Sequence, residues 1–439
     1  MDDFKTFFEG KTVTLMGLGL LGRGVGDAAF LARHCAKVFV TDMKTAEALG
    51  SSIAALAPYK NIEFVLGEHR NDLFENKDFI VKGAGVRLDN PFVAHAQDRG
   101  IPVYMSTALF ARFAPLKTVG VTGTRGKTTV TCMIGDILKA GGKKVLLGGN
   151  LRGVSTLAQL ETADAYDVAV LELDSWQLQG FDALTLSPNV AVMTSFYPDH
   201  MNYYDGDMER YWYDKASIFR HQKARDLLVA PQALKERIER DRPRSALRVA
   251  SVLPESYVLR VPGEHNRVNA SLAREASLAM GVPERTIQQA LESFAGVEGR
   301  LQLVGVWRDR AFYNDSNATT QEATVAALSA FSPETVVLIC GGADKGLPID
   351  ALLARLRDGK IRHVLIEGTG TDRMRPALPE SPVVDTMEAA VEKAVALSRP
   401  GDHIVLSPGF ASFGVFKNEY ERSDRFLASV EKLFRDEEA

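Results

Sequence analysis

The segment that most restricts what this chain can fold into lies at residues 117–140. Lys117-Thr118-Val119-Gly120-Val121-Thr122 reads as a buried strand, runs into Gly123-Thr124-Arg125-Gly126-Lys127-Thr128-Thr129, and continues as a helix from Val130 to Ala140. Successive backbone N–H groups in such a turn form a concave anion nest, and the helix start adds its positive end. Lys127 is spaced to reach β- and γ-phosphates, and the Thr128 hydroxyl to bind Mg²⁺. The loop is a shortened variant, because the generic pattern puts its first glycine where Val121 stands.

The same alternation of short apolar runs with helix-length segments recurs through the chain. Val13–Leu15, Val38–Val40, Val145–Leu147, Val168–Leu171, Val336–Ile339, Val364–Glu367 and His403–Leu406 all read as buried strands of parallel α/β sheets. Fresh starts occur near Lys11, after Ala114-Pro115, and near Gly299-Arg300, beyond the helical stretch Pro283–Phe294. With about 150 residues per domain, these starts give three domains, 1–114, 115–298 and 299–439. The charge-dense segment Lys235–Arg248 reads as a solvated helix or loop.

The first start carries its own glycine turn, Gly17-Leu18-Gly19-Leu20-Leu21-Gly22, with Asp42 closing the next strand. Three occupants fit it: a nicotinamide or flavin dinucleotide, a nucleotide diphosphate such as a UDP-sugar, or no ligand at all. The balance of 52 Lys plus Arg against 56 Asp plus Glu, net −4, argues against a dedicated nucleic-acid binder. Cys35, Cys132 and Cys340 are too few and scattered for a disulfide framework or a zinc site. No leader pattern opens the chain, and no uncharged apolar run reaches the ~18 residues of a membrane span. A cytoplasmic protein without membrane insertion is expected.

Gly123–Thr129 resembles the ATP loop of the Mur ligases, which build the peptide stem of peptidoglycan. Further segments resemble that family in family order. They are Gly148-Gly149-Asn150, Leu171-Glu172-Leu173-Asp174-Ser175-Trp176-Gln177-Leu178, Asp199-His200-Met201, Tyr211-x-x-x-Lys215 and Gly263-x-His265-Asn266-x-x-Asn269. Asn314-Asp315-Ser316, Gly341-Gly342-x-Asp344-Lys345-Gly346 and Ser407-Pro408-x-x-Ala411-Ser412-Phe413 complete the series. The resemblance implies an α/β chain of three domains: a Rossmann-like N-terminal domain for the UDP-substrate, a central P-loop domain for ATP, and a Rossmann-like C-terminal domain for the amino acid. It implies an ATP- and Mg²⁺-dependent ligase, with UDP-N-acetylmuramoyl-L-alanine and glutamate as partners, and a monomer. The branch that adds D-glutamate is the most similar.

Joining a carboxylate to an amine through an acyl phosphate needs no protein nucleophile; catalysis is positioning plus neutralisation of crowded charge. By resemblance, Lys127, Lys215, His200 and Arg300 serve catalysis, Lys215 as a lysine carbamylated by CO₂. Gly123, Thr124, Arg125, Gly126, Lys127, Thr128, Thr129, Asn266, Asn269, Arg300 and Asp315 would contact ATP. Thr128, Glu172, His200 and Lys215 would hold Mg²⁺. Gly19, Leu20, Leu21, Asp42, Asn150 and Gln177 would meet the UDP-substrate, and Thr319, Lys345, Ser412 and Phe413 the amino acid.

The chain departs from the family pattern at several places. Asn317 stands where a lysine near the phosphates is common, and Arg125 in the loop is a candidate replacement for that charge. Asp174 replaces Ser, Trp176 replaces Phe and Asn202 replaces Asp. Asp214 stands where a small residue is expected, with its carboxylate expected to face solvent. Glu419-Tyr420 follows Phe416-Lys417-Asn418, where an aromatic and then an acid are usual. Another amino acid, such as L-glutamate, therefore stays open. A second reading is another amide ligase of the same superfamily, of folylpolyglutamate or cyanophycin type; the glycine-rich first domain argues against the folate type, which starts directly with its ATP loop. A Rossmann dehydrogenase would explain only Gly17–Asp42 and leave the phosphate loop idle.

Overall fold

The computed structural model describes residues 3–19, 22–151 and 153–438. The first sheet holds β1 (Thr12–Met16), β2 (Lys37–Asp42), β3 (Ile62–Leu66), β4 (Phe79–Lys82) and β5 (Val103–Tyr104), in the order β3-β2-β1-β4-β5. All its pairings are parallel. The second holds β6 (Lys117–Thr122), β7 (Val145–Gly149), β8 (Val168–Glu172), β9 (Val190–Met193), β10 (Leu227–Ala230) and β11 (Ala246–Val249), in the order β11-β10-β9-β6-β8-β7. It too is parallel throughout. The third holds β12 (Gln302–Trp307), β13 (Arg310–Asn314), β14 (Val336–Gly341), β15 (Arg362–Ile366), β16 (Val383–Val384) and β17 (His403–Leu406), in the order β12-β13-β17-β14-β15-β16. There only the β12–β13 pair is antiparallel.

Parallel strands need crossover helices, which cover both sheet faces and force the strands to be apolar along their whole length. β8 and β14 show this, with every residue buried. The strand order reverses beside β1 and beside β6. At such points the loops at the carboxyl ends splay apart and leave a crevice. Both glycine turns lie there.

The chain divides into two compact units. The first comprises Met1–Leu253 with Asn269–Ala290, and its two sheets share one apolar core running from Phe8 through Leu171 to Ile238. The second comprises Pro254–Val268 with Leu291–Ala439, and its sheet is covered on one face by a cluster around Leu338 and Val405, on the other by one around Val337 and Ile404. The boundary falls inside the helix Glu264–Ala279.

One expected element is corrected. Within Lys235–Arg248 the helix covers only Lys235–Arg240, and the segment ends in β11. Ala246 and Arg248 are exposed while Leu247 and Val249 are half-buried, the alternation of an edge strand, which the density of charge conceals. Among the described residues, no helix is long and apolar enough to cross a membrane.

Candidate functional site

The phosphate loop leaves β6 and enters the helix Lys127–Ala140. Gly126 sits at the helix start in a left-handed conformation, φ 85°, with no side-chain cap. A β-carbon there would lie 2.5 Å from Asn269 Oδ1, so only glycine lets that asparagine close on the loop. Thr124 is tied down by donating to Tyr197 O, and Ser195 Oγ accepts from the Arg125 N–H. The Arg125 side chain is exposed, and Thr128 and Thr129 follow Lys127 in the first helical turn.

Two lysine side chains converge on one backbone oxygen. Lys127 Nζ donates to Gly123 O at 3.0 Å and to Thr124 O at 3.1 Å. Lys215, from the helix Met208–Arg220, donates to the same Gly123 O at 2.8 Å and lies over the Tyr211 ring. Lys215 is 1% exposed. Burial first, and then the charge of Lys127, hold its amine well below the usual lysine range, against the pull of Asp174, Asp199 and Asp214.

Glu172 ends β8, in register with Val121 on one side and Gly149 on the other. Its side chain is buried and Oε2 has no hydrogen-bond partner. A β-carbon on Gly149 would come within 2.0 Å of Glu172 O, so that glycine permits the close approach. An orphaned carboxylate oxygen at the sheet edge beside a phosphate loop suits a hard divalent cation. His200 has φ 55°, its ring packs on Trp176 at 4.7 Å, and its N–H donates to Asp199 Oδ1. Burial lowers its pKa, helped by Lys127 and Lys215 and opposed by Asp199, which favours the neutral imidazole that ligates metals. Among the described residues, no three His, Cys, Asp or Glu side chains cluster as a metal site. The candidate Mg²⁺ set is different in kind, adding Thr128 and Lys215 to Glu172 and His200.

At the first glycine turn, the Gly19 N–H donates to Asp42 Oδ2 at 2.9 Å. Burial pushes the Asp42 carboxyl up, but the N–H groups of Gly19 and Lys44 and the Lys44 charge outweigh it and leave it below the usual range. Leu20 and Leu21 lie outside the described residues. Arg23, in the first helical turn, donates to Asn150 Oδ1 and Leu151 O, both at 3.1 Å. Gln177 forms a capping box with Asp174 and donates to Thr107 Oγ1. A cavity of about 210 Å³ is lined by Gly17, Gly19, Arg23, Lys82 and Gln177, among others. Asp174 is thus explained as a helix cap.

Asp214 corrects an expectation. Its carboxylate is partly buried rather than simply turned to solvent: Oδ2 accepts from Gln179 Nε2 at 2.7 Å and from Tyr204 OH at 2.9 Å, and burial raises its pKa. Both donors come from segments packed against its helix, a pairing invisible in local spacing.

Asn266 and Asn269 are both buried on the helix Glu264–Ala279; Asn266 Nδ2 donates to Pro262 O. In the second unit, Arg300 is exposed just before β12. Both oxygens of Asp315 are engaged, by the Leu301 N–H and by Ser407 Oγ, and burial raises its pKa to about 7. Asp315 therefore braces the turn that follows Arg300, where Leu301 has φ 48°. Lys345 Nζ donates to Thr319 Oγ1 at 3.0 Å. Ser412 is buried and Phe413 exposed on the loop after β17, which Ala411 ties to Ala343 by paired backbone hydrogen bonds.

Sequence reasoning missed Arg23, Lys82 and the buried pair Asp27–Ser155, whose hydroxyl donates to the carboxylate at 2.6 Å. Lys82 had a signal: a lysine closing the otherwise apolar Phe79-Ile80-Val81, just before Gly83.

Comparisons with known proteins agree along the chain. Residues 11–105 match the Mur ligase MurD-like N-terminal domain, 121–257 the Mur ligase middle domain, and 299–410 the Mur ligase glutamate ligase domain. The UDP-N-acetylmuramoylalanine–D-glutamate ligase of Roseiflexus sp. (strain RS-1) is 36% identical, covering 97% of this chain and 99% of its own. The enzyme of that name from Geobacillus kaustophilus is 35% identical over the same shares. Among solved structures, UDP-N-acetylmuramate-alanine ligase from Thermotoga maritima superposes with a TM-score of 0.61 at 20% identity, covering 96% of this chain and 99% of its own. E. coli FolC, in complex with DHPP and ADP, gives 0.54 at 21% identity, covering 76% and 93%.

Proposed function

The chain belongs to the Mur ligase family of ATP-dependent, amide-bond-forming ligases of peptidoglycan synthesis, and from that premise we propose that it joins D-glutamate to UDP-N-acetylmuramoyl-L-alanine. The observation that carries the proposal is the convergence of Lys127 and Lys215 on Gly123 O, beside the unpartnered oxygen of Glu172. Lysines gathered at such a loop, beside a carboxylate able to hold a cation, are favourable around a triphosphate.

In this proposal, 1–114 is the Rossmann-like domain for the UDP-substrate, 115–298 the P-loop domain for ATP, and 299–439 the Rossmann-like domain for the amino acid. The substrate carboxylate attacks the γ-phosphorus, ADP leaves, and an acyl phosphate forms. The amine of glutamate then attacks the acyl carbon, and the tetrahedral species collapses with loss of phosphate. Lys127 moves from the carbonyls of its own loop to the phosphate oxygens and neutralises charge as it builds on them. Gly123–Thr129 supplies backbone N–H donors, and Asn266, Asn269, Arg300 and Asp315 complete the ATP contacts. Asn150 and Gln177 orient the muramoyl end. Lys345, Thr319 and the Ser412-Phe413 backbone hold the amino acid, with Lys345 against its side-chain carboxylate.

Thr128, Glu172 and His200 would hold Mg²⁺, which offsets the negative charge of the phosphates. Lys215 is the proposed carbamate: its neutral amine adds to CO₂ and sheds a proton, turning a cation into an anion able to hold a second ion. Its depressed pKa supports this, because only the free amine reacts.

The test is phosphate release from ATP with UDP-N-acetylmuramoyl-L-alanine and a panel of D- and L-amino acids. Release requiring both the nucleotide substrate and D-glutamate is expected. Release with L-glutamate instead would reassign the amino acid, and no release with any combination would end the proposal.

A further inference from the structure

Lys82 closes β4, a strand buried along its whole length. It pairs in register with Met16, the residue before the first glycine turn. Its side chain is 2% exposed and lines the 210 Å³ cavity that Gly19, Arg23 and Gln177 also line. An ammonium has three N–H donors. Among the described residues this one has a single acceptor, Val86 O at 2.9 Å, and no carboxylate within ion-pair distance. Burial pushes its pKa down to about 8, while the more distant Asp174 and Asp214 pull upward.

The carboxylates near the cavity are already engaged. Asp42 accepts from Gly19 and Lys44, and Asp27 from Ser155. The cavity therefore presents two cations, Arg23 and Lys82, against a single carboxylate, Asp27, whose Oδ1 is already taken up by Ser155. A buried, under-coordinated ammonium is strongly unfavourable unless something negative arrives.

We propose that Lys82 binds an anionic oxygen of the nucleotide-linked substrate. This rests on the ligase function proposed above and adds a substrate-binding residue to it. The anionic oxygen belongs either to the diphosphate or to the carboxylate at the muramoyl end, and the two are separable by ligand choice.

The experiment measures binding of UDP-N-acetylmuramoyl-L-alanine and of UDP to the full-length protein by calorimetry. Wild type is compared with Lys82→Met and Lys82→Arg, alongside thermal midpoints and the KM values of ATP and amino acid. Losing a charged hydrogen bond should weaken binding of the full substrate about 10- to 100-fold in Lys82→Met. The KM values of ATP and the amino acid should hold, and Lys82→Arg should recover most of the loss. An equal loss for UDP assigns the contact to the diphosphate; unchanged UDP binding assigns it to the carboxylate. Substrate binding that stays within about twofold in Lys82→Met, or that falls only together with every KM and the thermal midpoint, overturns the proposal and leaves Lys82 as a brace for the Val86 loop. If the wild type itself does not bind the muramoyl substrate, it is the ligase proposal that fails.

Discussion

Gly22 and Gly126 hold the same place in two strand-to-helix turns, with φ 83° and 85°, and neither helix start has a side-chain cap. Their surroundings differ. At the first turn a carboxylate of the chain itself, Asp42, takes up the Gly19 N–H. At the second, the N–H groups of Thr124 and Arg125 go to Ser195, and two lysines crowd the Gly123 carbonyl. One backbone device thus serves two ends: the first turn is satisfied internally and shaped for a ligand held at its flank, while the second gathers lysines and suits a triphosphate. What a glycine turn recognises is decided by the side chains brought to it.

The largest effect should come from removing the charge that separates the turns. Lys127→Met is expected to lower substrate-dependent phosphate release about 1,000-fold, with calorimetric affinity for the muramoyl substrate unchanged. Equal damage to both would erase the distinction. Glu172→Gln should follow, with a fall of about 100-fold in kcat and a higher Mg²⁺ requirement in steady-state assays; retained activity at low Mg²⁺ would remove Glu172 from the metal set.

Glycine replacement sharpens the contrast. Gly126→Ala adds a methyl 2.5 Å from Asn269 Oδ1, whereas at Gly22 the nearest atoms are 3.8 Å away. Both variants bear the left-handed strain of about 1 kcal/mol in chemical denaturation. Only Gly126→Ala should also raise the KM for ATP, by about tenfold. Matching ATP kinetics in the two would show that the Asn269 contact is idle.

The smallest effect concerns Asp27, on the helix that follows the first turn. Burial raises its pKa from 3.8 to about 6, against hydrogen bonds from Ser155 and Ser106 and the charge of Arg23. The unfolded chain gives up this proton first, so between about pH 4 and pH 6 the native state holds more protons and stability falls as pH rises. Asp27→Asn, which can still accept from Ser155, should flatten that part of the profile. It should also gain on the order of 3 kcal/mol at most near neutrality. An unchanged slope would show that Asp27 titrates normally.

Both turns were legible in the sequence because each is local: strand, glycines and first helical residues follow one another, and Asp42 lies one strand further on. A shared role for Lys215, Glu172 and His200 with Lys127 was inferred by resemblance alone, since spacing does not show how segments so far apart in sequence line up. Pairings across segments were not readable. Arg23 meets Asn150, Asp27 meets Ser155 and Asp214 meets Tyr204 and Gln179 only because helices of the first unit pack together. Asp315 shows a further limit: its place in a family segment marks it for ATP, but spacing could not show that its Oδ1 accepts from the Leu301 N–H and its Oδ2 from Ser407 Oγ.

The crowding at Gly149, where any β-carbon would collide with the Glu172 backbone, locks two neighbouring strands to each other. Both residues are buried, so a larger side chain at 149 has no room to turn aside and would dislodge the strand bearing Glu172. Sequence drift at this position is therefore closed to the chain unless the candidate metal-binding carboxylate moves with it.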